Sequence, residues 1–247
     1  NEMYTTNIEI IEFSRMDSSS ANLDDFYQLG KLIQRKLNTT NTKGLIILYG
    51  TDTLEMFSYF LYRSIVCNNK PIVITGSARV EMNIDFDGKA NIANSIKQIC
   101  NPDCMIYANG VTVNFAGKIH SPAYIQRDHS FALDPFSSDR LGLIGMMHIG
   151  HIVWLNKNSK STIIPLPPDG LVSIPIVDAY PGATDDYLDG YVGKFKGIVV
   201  VGYGGGNVSD NMYYAIKKSI ENGLKVVLVT NCKFGGINTE YGGKFNK

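Results

Sequence analysis

Short apolar runs enclosed by glycines are the feature of this sequence that most restricts its fold. Residues 44–50 read GLIILYG and residues 197–202 read GIVVVG. Such runs are typical of buried strands, because they are only a few residues long and rich in Ile, Val and Leu. They are far shorter than the ~20 apolar residues that a membrane-spanning helix needs. The sequence therefore predicts a sheet and no membrane association.

Segments with helical periodicity alternate with these runs. Between Asn22 and Leu37 the apolar residues recur at helical spacing, with Asp24 and Asp25 favouring the positive N-terminal end. Strands that alternate with helices predict parallel βα units. The predicted strands are residues 7–13, 45–49, 71–75, 111–114, 174–179, 198–202 and 225–230, and the predicted helices are residues 22–37, 53–66, 87–99 and 209–221.

A polar, proline-bearing stretch at residues 156–170 separates two parts of the chain. We predict a larger N-terminal α/β domain at 1–157, a linker at 158–171 and a smaller C-terminal α/β domain at 172–247. The expected fold class is α/β, a doubly wound, mostly parallel, flavodoxin-like sheet with this second domain. Because the chain opens on Asn1 and stops after a strand and a glycine-rich turn, we expect both domains to be incomplete at their outer ends.

Composition excludes several function classes. The 247 residues carry 23 basic and 23 acidic side chains, so nothing in the net charge favours nucleic-acid binding. The four cysteines are too sparse for a small disulfide framework, and we expect core thiols. Cys100 and Cys104 lack a second ligand pair at zinc spacing, and the His148/His151 pair lacks a third ligand nearby. We expect no metal, and we expect His120 and His129 to lie on the surface.

Polar residues follow three consecutive predicted strands. They are Asp17, Ser18 and Ser19, then Thr51, Asp52 and Thr53, then Ser77 with Arg79. Ligands of open α/β sheets bind at the carboxyl ends of the strands, so these groups are expected to converge on one crevice. The alternative is that Asp17, Ser18, Thr51 and Asp52 are helix N-caps, a position that Ser, Thr and Asp prefer without any functional role.

These residues belong to a longer series of motifs. Gly50-Thr-Asp-Thr53, the strand and loop at 71–79, and Asp87-Gly-Lys-Ala-Asn-Ile-Ala-Asn94 occur together with stretches at 16–19, 134–136, 179–183 and 202–207. In this order they resemble the bacterial-type L-asparaginase family over nearly the whole chain. The resemblance implies an amidohydrolase that splits the side-chain amide of L-asparagine, or a related amide, into carboxylate and ammonia without a cofactor or metal.

The resemblance also implies roles for individual residues. One family threonine lies in an N-terminal motif that is absent from these residues, whereas the other matches Thr51. Thr51 would form a triad with Asp52 and a lysine that activates the nucleophile or water. Ser18 and Asp52 would hold the substrate's α-carboxylate and α-amino group.

Further family positions surround that pocket. Asp17, Ser19 and Ser77 would line it, and Asn207 would reach the site of a neighbouring subunit. The chain is therefore expected to form a homodimer or homotetramer. The Asp-Ser-Ser version of the 17–19 motif resembles the cytoplasmic branch of the family.

Several positions depart from the family pattern. Tyr49 replaces the usual His, Val80 and Lys89 replace prolines, and Arg127 aligns with the triad lysine. Arginine stays protonated in proteins and cannot act as a base. Arg127 would instead pair with Asp52 or with a substrate carboxylate. A shift in the alignment would bring Lys118 or another lysine to the site.

Two other functions stay open. One is a family member without hydrolytic activity that binds an amino acid or a partner protein. The other is an amidase for a larger amide, in which Arg127 recognises an additional anionic group.

Overall fold

The computed structural model describes residues 7–39, 41–138 and 143–238. The chain forms two compact units, Asn1–Leu171 and Val172–Lys247. The first unit contains the helices α1 Leu23–Leu37, α2 Leu54–Ser64, α3 Gly88–Cys100 and α4 Cys104–Tyr107. Its strands are β1 Leu45–Leu48, β2 Ile72–Thr75, β3 Val111–Phe115, β4 Lys118–His120, β5 Gln126–Arg127, β6 Phe136–Ser137, β7 Gly145–His148 and β8 His151–Trp154.

The main sheet of the first unit has the strand order β1-β2-β3-β4-β7-β8. The strands β1, β2 and β3 run parallel and are linked by helices, which confirms the predicted α/β class. The antiparallel extension formed by β4, β7 and β8 was not predicted from the sequence. The β3–β4 hairpin turns through Ala116-Gly117, and the β7–β8 hairpin turns through Ile149-Gly150. All four residues have positive φ angles. Two-residue turns of this kind permit only antiparallel pairing.

Local sequence determines where α1 begins. The Asn22 side chain accepts hydrogen bonds from the amides of Asp24 and Asp25, and the Asp25 carboxylate accepts one from the Asn22 amide at 2.9 Å. This capping box satisfies amides that the helix cannot pair, and such a cap is worth about 1 kcal/mol. The predicted helix at 22–37 is confirmed.

Packing of α2 against the parallel strands forms the core that positions the site. Phe57 and Leu61 are fully buried on α2, as are Ile74 and Val113 on the strands. Burying a side chain of this size stabilises the folded state by ~1.5–3 kcal/mol. The N-terminal end of α2 is therefore fixed relative to the ends of β1 and β2.

The second unit is a smaller parallel sheet with the strand order β11-β10-β9. Its elements are β9 Ile176–Asp178, β10 Gly197–Gly202, α5 Asp210–Glu221 and β11 Lys225–Thr230. The Ser209 side chain accepts a hydrogen bond from the Met212 amide and so caps α5. Among the described residues of both units, no helix is long and apolar enough to cross a bilayer.

The strand predicted at residues 7–13 is wrong. These residues form neither helix nor strand, and Ile8 and Ile10 are 64% and 89% exposed. The segment contains several apolar residues, but a strand also needs a neighbouring strand for its backbone hydrogen bonds, and no described strand pairs with this segment. The first described element is instead a short 3₁₀ helix, Ser18–Ser20.

Candidate active site

Ser18 and the segment before α2 are in direct contact. The Ser18 Oγ accepts a hydrogen bond from the Asp52 amide at 3.2 Å, and the Thr53 hydroxyl donates to the Ser18 carbonyl at 2.9 Å. A Cβ atom at Gly50 would lie 2.6 Å from the Ser18 Oγ, so this approach requires a glycine. The structure thus brings the predicted groups at 17–19 and 51–53 together within the first unit.

Of the four residues that the alternative makes helix N-caps, Asp17 alone stands at such a position among the described helices. The N-cap residue of α2 is Thr53, and its side chain makes no capping hydrogen bond. Asp17 occupies the N-cap position of the 3₁₀ helix, again without a side-chain cap. The hydroxyl of half-buried Thr51 forms no hydrogen bond with any of the described residues. Asp17, Ser19 and Asp52 are exposed, so these polar groups face solvent.

Arg127 pairs with Asp52. Its Nη1 lies 2.7 Å from the Asp52 Oδ1, and its Nη2 and Nε donate to the carbonyls of Ser130 and His129 at 2.7 and 3.3 Å. The Arg127 side chain is 26% exposed and the Asp52 side chain 56% exposed. Lys118 forms an ion pair with Asp134. The cation at Asp52 is therefore an arginine, which stays protonated at any physiological pH.

The main chain of Arg127 is held by a residue that the sequence analysis did not include. Glu55, in the first turn of α2, accepts a hydrogen bond from the Arg127 amide at 2.7 Å. No residue pattern signals this contact, because it joins a side chain to a main-chain amide 72 positions away. Asp52 precedes the N-cap residue Thr53 and so lies outside α2.

Ser77 lies in the loop after β2, which Asp87 anchors. The Asp87 carboxylate accepts hydrogen bonds from the Ala78 and Arg79 amides at 3.0 and 3.1 Å. Arg79 in turn donates to the Phe131 carbonyl at 3.1 Å. Among the described residues no hydrogen bond joins Ser77 to Asp52, but Arg79 and Arg127 hold neighbouring carbonyls of the 129–131 loop.

Asn207 lies in the second unit, in the turn that follows β10. Its carbonyl accepts a hydrogen bond from the Tyr203 amide at 2.7 Å, and its amide donates to the Tyr203 carbonyl at 2.8 Å. The side chain is half-buried. The turn therefore fixes the Asn207 backbone.

The expected surface position of His120 is wrong. His120 is fully buried on β4, where its Nδ1 lies 2.8 Å from the Ser138 Oγ. Its Nε2 has no hydrogen-bond partner among the described residues. Burial, assisted by the charge of Lys118, lowers the pKa of His120 to about 4. The imidazole is therefore neutral at physiological pH. His129 is exposed, as expected.

The histidine and cysteine positions form no metal site in the described part of the chain. His148 and His151 face each other across the β7–β8 hairpin. No cluster of three or more His, Cys, Asp or Glu side chains is placed to bind a metal ion in residues 7–39, 41–138 and 143–238. Burial raises the pKa of the Cys67 thiol to about 11 and that of the Cys104 thiol to about 12, so both thiols stay protonated.

Comparisons with known proteins match both parts of the chain. Residues 2–160 match the family model "Asparaginase, N-terminal", and residues 173–247 match "Glutaminase/Asparaginase C-terminal domain". The L-asparaginase of Bacillus licheniformis is 27% identical over 95% of this chain and 72% of its own length. L-asparaginase 2 of Bacillus subtilis is 31% identical over 91% of this chain and 62% of its own length.

A solved structure shows the same fold. The crystal structure of the probable cytoplasmic L-asparaginase from Campylobacter jejuni superposes with a TM-score of 0.81 at 28% identity. The superposition covers 91% of this chain and 70% of the other. Together with the two matched family models, this similarity shows that the chain belongs to the asparaginase family.

Proposed function

We propose that this protein is an amidohydrolase that converts the side-chain amide of L-asparagine into a carboxylate and ammonia. One observation carries the proposal. The Thr51 hydroxyl, free of hydrogen bonds to the described residues, directly precedes Asp52, which is paired with Arg127. A hydroxyl nucleophile needs such a neighbouring acid–base group. The relatives named L-asparaginase support the substrate.

The hydrogen bonds around Ser18 and Asp52 suit an amino-acid substrate. The Ser18 Oγ accepts from the Asp52 amide, so its own hydrogen can be donated to a substrate α-carboxylate. Arg127 binds the Asp52 Oδ1, which leaves the Oδ2 as the oxygen that accepts a proton in the proposed reaction.

The proposed chemical step uses the Asp52 carboxylate as the proton acceptor and keeps Arg127 protonated. In the proposal a threonine hydroxyl, activated at Thr51, adds to the amide carbon and its proton passes to the Asp52 carboxylate. The proton moves to the leaving nitrogen, the C–N bond breaks and ammonia departs, which leaves an ester. Water then adds to the ester carbon, the ester C–O bond breaks, the hydroxyl takes back a proton from the water, and the carboxylate product leaves. Arg127 keeps its proton throughout, so it positions Asp52 and cannot accept the proton.

Ammonia release from L-asparagine tests this function. The parent protein is expected to release ammonia, and Thr51→Ala is expected to remove the activity. Thr162→Ala is the matched control, because Thr162 is an exposed threonine of the same unit. Equal activity of the parent and Thr51→Ala would contradict the proposal.

The protonated Arg127 also favours a second function, the binding of an amino acid without hydrolysis. All three guanidinium nitrogens are already engaged by Asp52, Ser130 and His129. Calorimetric titration of L-asparagine distinguishes the two functions. Heat of binding without ammonia release would support binding alone.

Two further features belong to the proposal. We propose that the protein assembles as a homodimer or homotetramer in which Asn207 completes the site of a neighbouring subunit. We also propose a cytoplasmic location, which the name of the Campylobacter jejuni relative supports. Light scattering tests the assembly, and a monomer at micromolar concentration would contradict it.

A further inference from the structure

The strand that carries Arg127, β5, has little strand pairing to hold it in place. β5 contains only Gln126 and Arg127, and among the described strands it pairs only with β6, itself two residues long. Two such short strands form a marginal ribbon without support from elsewhere. The position of the Arg127 guanidinium therefore depends on contacts outside this ribbon.

Glu55 provides the contact on the opposite edge of β5. The next amide along the chain, that of Asp128, donates to the Pro135 carbonyl at 2.8 Å, towards the β6 side. The Arg127 amide donates to the Glu55 Oε2 at 2.7 Å instead. A strand amide left without a partner is costly, and a carboxylate acceptor makes a stronger hydrogen bond than a neutral one.

Asp52, just before α2, and Glu55, in its first turn, thus hold Arg127 at two points. Asp52 binds the Arg127 side chain at 2.7 Å, and Glu55 binds the Arg127 main chain at 2.7 Å. With the amide and the guanidinium both fixed to the same helix end, movement of the ribbon away from α2 requires both bonds to break. Catalytic groups tolerate only small displacements, so such attachments matter for rate.

From this arrangement we propose that Glu55 is a positioning residue for the reaction. It acts through the Arg127 main chain to fix the ion pair between Arg127 and Asp52. The inference rests on the proposed amidohydrolase function, although the contact itself can be measured without any turnover. Glu55 touches neither Thr51 nor the substrate in this account.

Nuclear magnetic resonance tests the contact directly. The protein has six arginines, so ¹⁵N-arginine labelling gives a sparse spectrum in which Arg127→Lys assigns the Arg127 Nε–H and amide signals. Glu55→Ala is expected to shift the Arg127 amide and to accelerate exchange of its Nε–H with water. Glu55→Gln keeps an oxygen acceptor and is expected to restore slow exchange. Unchanged Arg127 signals in Glu55→Ala would overturn the proposal.

Kinetics then test the role in the reaction. Glu55→Ala is expected to lower kcat for ammonia release by ~10- to 100-fold with little change in KM, and Glu55→Gln to recover most of the loss. Glu221→Ala is the matched control, an exposed helical glutamate of the second unit. Unchanged kcat in Glu55→Ala would overturn the role. An inactive parent would contradict the proposed function, while the Arg127 spectrum would still decide whether Glu55 fixes the ion pair.

Discussion

Arg127 donates a 2.7 Å hydrogen bond from its Nη1 to the Asp52 Oδ1, which joins residues 75 positions apart in the chain. The pair is partly exposed, so its contribution to stability is at most about 1 kcal/mol. In the proposed mechanism its role is to orient the carboxylate beside Thr51. Loss of the pair should therefore affect activity far more than folding.

Asp52→Asn tests that distinction. The variant removes the charge that pairs with Arg127 and the proposed proton acceptor, so ammonia release should fall by about 100-fold or more. The free energy of unfolding should change by less than about 1 kcal/mol. Asp189→Asn is the matched control, because Asp189 forms a comparable exposed ion pair with Lys218 at 2.7 Å in the second unit. Full activity of Asp52→Asn would contradict the assignment.

Gly50→Ala should destabilise the first unit and impair the site. The new methyl group would lie 2.6 Å from the Ser18 Oγ and 2.8 Å from the Ser18 Cβ, so Ser18 or the loop must move. We expect a loss of about 1–3 kcal/mol in chemical denaturation, the usual cost of overpacking. Gly236→Ala is the control, because nothing lies within 4 Å of its added Cβ. Equal effects of the two variants would refute the steric argument.

Asp87→Ala should loosen the loop that carries Ser77. The carboxylate accepts hydrogen bonds from the Ala78 and Arg79 amides and from the Asn91 side chain, and the variant leaves all three donors without it. We expect a loss of ~1–3 kcal/mol in stability and a higher KM for L-asparagine, because Ser77 is predicted to bind substrate. Asp103→Ala, at an exposed position of the same unit, serves as the control. An unchanged KM would argue against a role for this loop in substrate binding.

The buried His120 predicts how stability depends on pH. Its pKa is about 4 in the folded protein and 6.5 when it is exposed, so the unfolded chain binds the proton more readily between these values. The stability that neutral His120 contributes is complete above pH 6.5 and is lost as the pH falls towards 4. This one group should lower the free energy of unfolding by about 2 kcal/mol between pH 7.5 and pH 5.

Chemical denaturation at the two pH values checks this contribution. His120→Asn should reduce the pH dependence by about that amount, because an amide does not titrate in this range. His148→Asn is the control, since His148 is exposed at a hairpin end. The same pH dependence in the parent and in His120→Asn would contradict the account.

Local sequence predicted the helices and central strands well. The helix α1 begins where Asn22 can cap it, and the glycine-bounded run at 197–202 forms β10 with the same limits. The segment at 7–13 shows where such reasoning fails, because its apolar residues carry no information about whether a partner strand exists. The predicted surface position of His120 is wrong for a related reason, since Ser138, whose hydroxyl contacts the imidazole, lies 18 positions away in the sequence.

The residues of the candidate site likewise divide into those that sequence motifs predicted and those that they did not. Ser18, Thr51 and Asp52 were predicted from motifs at strand ends, and the structure places Ser18 against Asp52. Arg127 came from the family resemblance alone, and its chemical role stays a prediction. Glu55 was not predicted, because its hydrogen bond spans 72 positions and involves the Arg127 main chain, which no residue pattern encodes.

Ammonia release measured side by side for the parent, Thr51→Ala and Arg127→Lys tests the central claim most directly. The account predicts release by the parent and a loss of about 100-fold or more in Thr51→Ala. It also predicts that Arg127→Lys is at least as active as the parent, because a lysine keeps the pair with Asp52 and can also lose its proton. Equal release by the parent and Thr51→Ala, or no release by either the parent or Arg127→Lys, would contradict it.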